Sequence, residues 1–143
     1  MIFTVIGDPA PQGSKRHVGN GVMIESSKKV KPWRQAVAVA AVQARAGTMP
    51  FDGPVIVDVT FWLKPPASAS KKKLSLGPCR KPDIDKLLRS TFDALSTAGV
   101  WTDDARVVEC GARKRYAPIA GHCGAEIMVW PQERGKTFPV EGA

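Results

Sequence analysis

Residues 2–7 run or alternate apolar and predict a first strand. The stretch Asp8-Pro9-Ala10-Pro11-Gln12-Gly13-Ser14-Lys15-Arg16-His17 holds two prolines and a glycine among polar residues and predicts a loop. Residues 21–25 predict a short second strand. After Lys31-Pro32, Trp33, Val37, Ala40, Ala41 and Ala44 recur at helical spacing, and Gly47 ends the run. This is a first helix with a small-residue face suited to close packing on a sheet. Residues 54–63 predict a strand, with Val55, Val57, Val59 and Phe61 on one face and Ile56 and Trp62 on the other. The proline- and serine-rich segment from residue 65, with its three lysines, predicts a loop of about 17 residues, beyond the usual connection length.

A second helix is expected over residues 83–98, with Ile84, Leu87, Leu88, Thr91, Leu95 and Ala98 as its buried stripe and Gly99 as its stop. Asp85, Arg89 and Asp93 form a charged stripe on the same helix. Residues 106–117 and 122–131 predict two strands joined as a hairpin around residues 118–121. The order β(β)αβαββ indicates one α/β (α+β) domain, a mixed β-sheet with two main helices packed on it. It spans residues 1–131 and is followed by a polar tail, 132–143.

A length of 143 residues, 43% apolar and 24% charged, fits one globular domain and excludes disordered and collagen-like classes. No apolar run approaches the ~20 residues of a membrane helix. The first residues lack a basic n-region and a cleavage site. The expectation is a soluble, cytoplasmic protein with no membrane partner. Cys79, Cys110 and Cys123 form no CxxC pair and read as free thiols of a reducing compartment. In the expected hairpin, position 110 falls opposite about 128 rather than 123. His122-Cys123 reads as strand residues near a turn rather than as metal ligands.

Charge changes the picture. The net charge of +8 favours a polyanionic partner, nucleic acid first. From Lys64 to Arg89 there are eight cations (Lys64, Lys71, Lys72, Lys73, Arg80, Lys81, Lys86, Arg89) against Asp83 and Asp85, which is +6 of that total. A solvated loop is the plain reading of a charge run, and the clustering favours phosphate contact.

Lys81-Pro82-Asp83-Ile84-Asp85-Lys86-Leu87-Leu88-Arg89 is the most informative stretch. Pro82 disfavours helix before it, so Asp83 is a natural helix N-cap, and Asp85 can pair with Arg89 at i,i+4. Neither role explains the second acidic pair, Asp103-Asp104. A helix of about 16 residues sets its two ends roughly 24 Å apart. Convergence of the two acidic pairs therefore needs either a bent helix and link or a second subunit. Once converged, several carboxylates without His or Cys form a site for Mg²⁺, with Mn²⁺ as a substitute, rather than zinc. On a phosphate-binding surface such an ion serves phosphodiester hydrolysis.

The two segments KPDIDKLLRSTFDAL and GVWTDDARVV resemble the RusA family of Holliday junction resolvases of phages and prophages. Gly7, Pro9, Lys15 and Arg16 and the Lys31-Pro32-Trp33 opening of the first helix extend the likeness over most of the chain. The resemblance implies an Mg²⁺-dependent homodimeric endodeoxyribonuclease, without organic cofactor, that nicks two strands of a four-way junction symmetrically in recombination and repair. It places metal ligands at Asp83, Asp85 and Asp104, with Asp103 ranked fourth, and includes the basic residues Lys15 and Arg16 of the first loop. With the charge cluster this gives Lys15, Arg16, Lys71, Lys72, Lys73, Arg80 and Lys81 as the expected DNA contacts. The family often has asparagine after the second aspartate and a catalytic lysine four positions after it; here Lys86 and Arg89 stand there. Arginine stays protonated, so Arg89 can hold a phosphate oxygen but cannot act as a base. Lys86 is the other candidate for part of that lysine's role, though it points about 100° away from Asp85 around the helix. Two other readings are a metal-dependent nuclease of the PD-(D/E)xK type acting on branched DNA and a non-catalytic basic DNA-binding protein. The first lacks its acid-x-Lys, because Asp104-Ala105-Arg106 offers arginine instead.

Overall fold

The structure, a computed structural model, describes residues 1–13, 15–17, 23–25, 28–118 and 121–133, with the backbone alone for 15–17 and 23–25. In chain order the elements are β1 (Ile2–Ile6), β2 (Lys15–His17), β3 (Met23–Glu25), α1 (Val30–Arg45), β4 (Val55–Leu63), α2 (Lys71–Leu74), α3 (Ile84–Thr97), a 3-10 turn (Asp104–Arg106), β5 (Val107–Tyr116) and β6 (Gly124–Pro131). Four strands form one mixed sheet in the order β1-β6-β4-β5. β4 runs parallel to β5 and antiparallel to β6, and β6 runs antiparallel to β1.

The α+β reading holds, and the expected hairpin does not. β5 and β6 are neighbours in sequence, but β4 lies between them. The physical reason lies in composition. β4 is the longest apolar strand, and its central place between β5 and β6 buries one whole face, Val55 to Leu63, and Ile56 of the other. Val55, Ile56, Val57, Val59 and Phe61 are all fully buried. β5 ends in Arg113-Lys114-Arg115-Tyr116, which suits a sheet edge, where charged side chains discourage further pairing. Cys110 consequently faces Val57, not residue 128. None of the three cysteines is in a disulfide. Burial first, and the charge of Asp58 second, push the Cys110 thiol above its ordinary pKa.

Two segments read as loop contain structure. Residues 15–17 form β2, antiparallel to β3. Lys71–Leu74 make one helical turn, started by Ser70, whose hydroxyl accepts from the Lys73 amide. The C-terminal tail lies outside the described residues from 134 onward, as do residues 119 and 120 of the β5–β6 connection.

α1 and α3 pack on each other, α1 beside β1 and α3 beside β5. Trp33, Val37, Leu87, Leu95 and Trp101 join Val57, Phe61 and Ile127 in one core. At its centre the Trp33 indole N–H donates to Thr91 Oγ1 at 3.2 Å, satisfying two buried polar groups. Gly124 opens β6 where it crosses β1. A Cβ there would collide with the Val5 carbonyl, so only glycine fits. Among the described residues no helix is long and apolar enough to cross a membrane.

Candidate metal and DNA site

Asp83 occupies the N-cap position of α3 in extended geometry, but its side chain makes no capping hydrogen bond. Its carboxylate instead lies 3.6 Å from the Lys86 ammonium. Asp85, in the first turn, is exposed and does not pair with Arg89. Among the described residues it has no hydrogen-bond or ion-pair partner. Both plain structural roles for these acids are therefore absent. Two carboxylates stand at the N-terminal end of a helix with neither one holding the fold together.

A cavity of 320 Å³ opens beside Asp83, lined also by Asp8, Lys29, Lys81, Pro82 and Lys86. Asp8 accepts from Lys29 at 2.8 Å. That hydrogen bond, with the charge of Asp8, raises the Lys29 pKa. With Asp8 and Lys29 cancelling each other, Asp83 faces Lys81 and Lys86, which leaves the cavity one positive charge in excess, a setting that favours an anionic ligand.

Three contacts hold the wall of this cavity. Ser90 Oγ donates to the Ala10 carbonyl at 2.6 Å. The Gln12 backbone N–H donates to the Lys86 carbonyl at 3.0 Å, and its side-chain amide donates to Asp93 at 2.7 Å. Gly13 follows at φ +112°, with Arg89 so close that a Cβ would meet its Nη1 at 3.1 Å. The segment 8–13 is thus stitched along α3. On the other side Lys114, from β5, donates to the carbonyls of Arg80 at 2.9 Å and Pro82 at 3.0 Å. It ties down the segment that carries Asp83. Gln12, Ser90 and Lys114 were not legible as site residues, because no local spacing links residue 114 to residue 82 or residue 12 to residue 93.

The second acidic pair sits at the opposite end of α3. Asp103 caps the 3-10 turn, accepting from the Ala105 amide at 2.7 Å. Asp104 accepts from the Trp101 indole at 3.1 Å and from the Ser96 hydroxyl, both through Oδ1. Its other oxygen has no described partner, and the carboxylate is held in one orientation, as donors around metal ligands do. Asp104 is held at Ser96, 11 residues along α3 from Asp85 and 13 from Asp83, a rise of about 17 and 20 Å. Within one chain, no group of three or more His, Cys, Asp or Glu among the described residues could hold a metal ion.

Of the expected DNA contacts, Lys71, Lys72 and Lys73 are exposed on α2, and Arg80 and Lys81 are exposed beside the cavity. The side chains of Lys15 and Arg16 lie outside the described part of the structure. Lys86 is half-buried, and Arg89 is exposed one turn along α3.

The model of the family described as Endodeoxyribonuclease RusA matches residues 7–129. "Uncharacterized protein YqaN" of Bacillus subtilis (strain 168) is 35% identical over 125 residues, covering 80% of this chain and 87% of that protein. A shorter match, 53% identical over 30 residues, joins the chain to "Crossover junction endodeoxyribonuclease rusA" of Enterobacteria phage 82. It covers 21% of this chain and 25% of the phage protein. The protein of the same description from Escherichia coli (strain K12) matches to the same extent.

Proposed function

The chain belongs to the RusA family of endodeoxyribonucleases, and from that premise we propose that it resolves four-way DNA junctions by paired, symmetric, Mg²⁺-dependent nicks. It would act in recombination and repair, in the cytoplasm of a bacterial or phage-infected cell. The observation that carries this reading is the state of Asp83 and Asp85. Asp83, without a capping bond, lines a cavity with an excess of cations where an anionic backbone can approach, and Asp85, two residues along, is exposed with no hydrogen-bond partner among the described residues.

The donor set is all carboxylate, which fits a hard divalent ion. Asp83, Asp85 and Asp104 would hold it, with Asp103 adjacent. When bound, such an ion polarises the phosphate and stabilises charge on the leaving oxygen. Lys86 and Arg89 would bind the phosphate oxygens; Arg89, always protonated, serves as a fixed charge. Lys71, Lys72, Lys73, Arg80 and Lys81, with Lys15 and Arg16, would hold flanking phosphates.

The separation along α3 supports a site completed by a second copy of the chain. Asp85 and Arg89 are exposed on α3, half-buried Phe92 and Ser96 continue the same stripe with Phe92 stacked edge-on against Trp101, and Asp104 is bonded to Ser96. A two-fold axis crossing this face near its midpoint would lay the two helices antiparallel. Asp85 would then meet the partner's Ser96 and Asp104, and Arg89 the partner's Phe92. One symmetry operation would create two equivalent sites, the number that two nicks require.

A synthetic four-way junction and a linear duplex, each incubated with and without Mg²⁺, test the activity. Two symmetric nicks in the junction alone, only with Mg²⁺, are expected. Junction binding without any cutting would overturn the nuclease reading and leave a DNA-binding protein.

A further inference from the structure

A second cavity, of 190 Å³, adjoins the one beside Asp83 and shares Asp8, Pro9, Lys81 and Pro82 with it. The two make a continuous groove that leads away from Asp83. Its far part adds Lys64, Arg80 and Tyr116. Tyr116 is the last residue of β5, half-buried, and its hydroxyl has no hydrogen-bond partner among the described residues. The side chains of Lys64, Arg80 and Lys81 likewise have no ion-pair partner among the described residues. Asp8, the groove's other acid, is already held by Lys29.

The far part of the groove therefore offers one aromatic ring, proline surfaces and three unpaired cations, adjoining the candidate cleavage site. Lys114 fixes its floor by holding the carbonyls of residues 80 and 82. Proteins bind unpaired nucleotides with such a combination, stacking the base on an aromatic ring and tracking the backbone with cations. At the exchange point of a junction, stacking is already interrupted, so turning a base out of the duplex costs less there than elsewhere.

We infer that this groove is a subsite for an unstacked nucleobase next to the cleaved phosphate, with Tyr116 as its stacking platform. The inference rests on the nuclease reading for its location and adds a recognition element to it. It makes Tyr116 a specificity residue, able to favour some bases at the cut over others.

The test pairs a protein change with a DNA change. Junctions carrying an abasic site at each position around the exchange point are titrated, without divalent metal, against the wild type and Tyr116→Ala. At one position next to the cut, the abasic site is expected to weaken wild-type binding about 5- to 150-fold, the range for removal of one base–aromatic stack. The same abasic site should leave Tyr116→Ala binding unchanged, and Tyr116→Phe should behave as the wild type. The four-base preference at that position should flatten in Tyr116→Ala and persist in Tyr116→Phe. An abasic site that costs both proteins equally, or neither, overturns the subsite. The wild-type titration alone decides this if Tyr116→Ala fails to fold, since absence of any abasic effect suffices. A wild type that binds as expected but never cuts overturns the nuclease reading instead, and the two failures are distinguishable.

Discussion

Asp83 is the residue where structure and sequence disagree most usefully. Its position predicts a cap, and an N-cap carboxylate replaced by an apolar residue costs typically ~1 kcal/mol. Here no capping bond forms. Asp83→Asn and Asp85→Asn are therefore expected to melt within about 0.5 kcal/mol of the wild type, as surface changes do. Junction cleavage should be lost in both, while DNA binding is kept or strengthened, because a carboxylate repels phosphate and an amide does not. Gel assays for cutting and binding, with thermal melting, check all three outcomes; wild-type cutting by either variant would remove that acid from the site. Lys114 belongs to the same scale as a positioning residue. Lys114→Met frees the carbonyls of residues 80 and 82, and the loosened Asp83 should lower kcat about 10- to 100-fold, with KM little changed. Lys114→Arg, which keeps a cationic donor, should recover most of the rate. Equal loss in both variants, or an effect confined to KM, would place Lys114 outside the positioning of the site.

At the scale of elements, α2 and α3 differ in what holds them. α3 is anchored by Leu87 and Leu95, both fully buried, and by Ser90 and Thr91, which find buried partners on the 8–13 segment and on Trp33. Leu87→Ala should cost about 2–5 kcal/mol in a denaturant titration, since a packed core collapses only partly into the void. α2 buries no residue. Its Lys71, Lys72 and Lys73 spend their charge on solvent and are available to phosphate. Replacing all three with Gln should leave the melting temperature unchanged and flatten the plot of log K against log salt. For duplex DNA the slope should fall by about 0.9 for each phosphate that the protein no longer neutralises. An unchanged slope would show that these lysines touch no DNA.

For the whole molecule, the separation of the acids along α3 makes a prediction that a single-chain site cannot match. Asp83→Asn/Asp85→Asn protein and Asp104→Asn protein should each be inactive. Mixed, they form heterodimers in which one site keeps Asp83 and Asp85 from one chain and Asp104 from the other, while the second site loses all three. Mixing should therefore restore single nicking, up to about half of the dimers carrying one intact site on random C2 pairing. If each site belonged to one chain, every site in the mixture would carry a lesion and no activity would return. Phe92 is half-buried and stacks edge-on against Trp101; Phe92→Lys protein that still melts cooperatively should sediment toward monomer and lose cutting together.

The sequence by itself determined what depends on near neighbours. The helix faces, the apolar run of residues 55–63 and the Asp83/Asp85 and Asp103/Asp104 pairs are all set by short spacings, as is the family likeness that the match over residues 7–129 bears out. The long-range partners were decided only by the tertiary structure. Strand order is one case: residues 107–116 and 124–131 are joined by a short link, yet placing the apolar strand 55–63 at the centre of the sheet outweighs pairing the neighbours. The use of side chains is another. Two local rules compete at the start of α3: Asp83 forgoes the cap for an i,i+3 pair with Lys86, and Asp85 is left unpaired among the described residues, a choice between neighbours that spacing alone does not make. Lys114 and Gln12 enter through hydrogen bonds spanning 32 and 81 residues, for which no local pattern exists. Periodicity fixes which face of an element is apolar; which other face it meets is a global competition for burial, resolved only when the whole chain is packed.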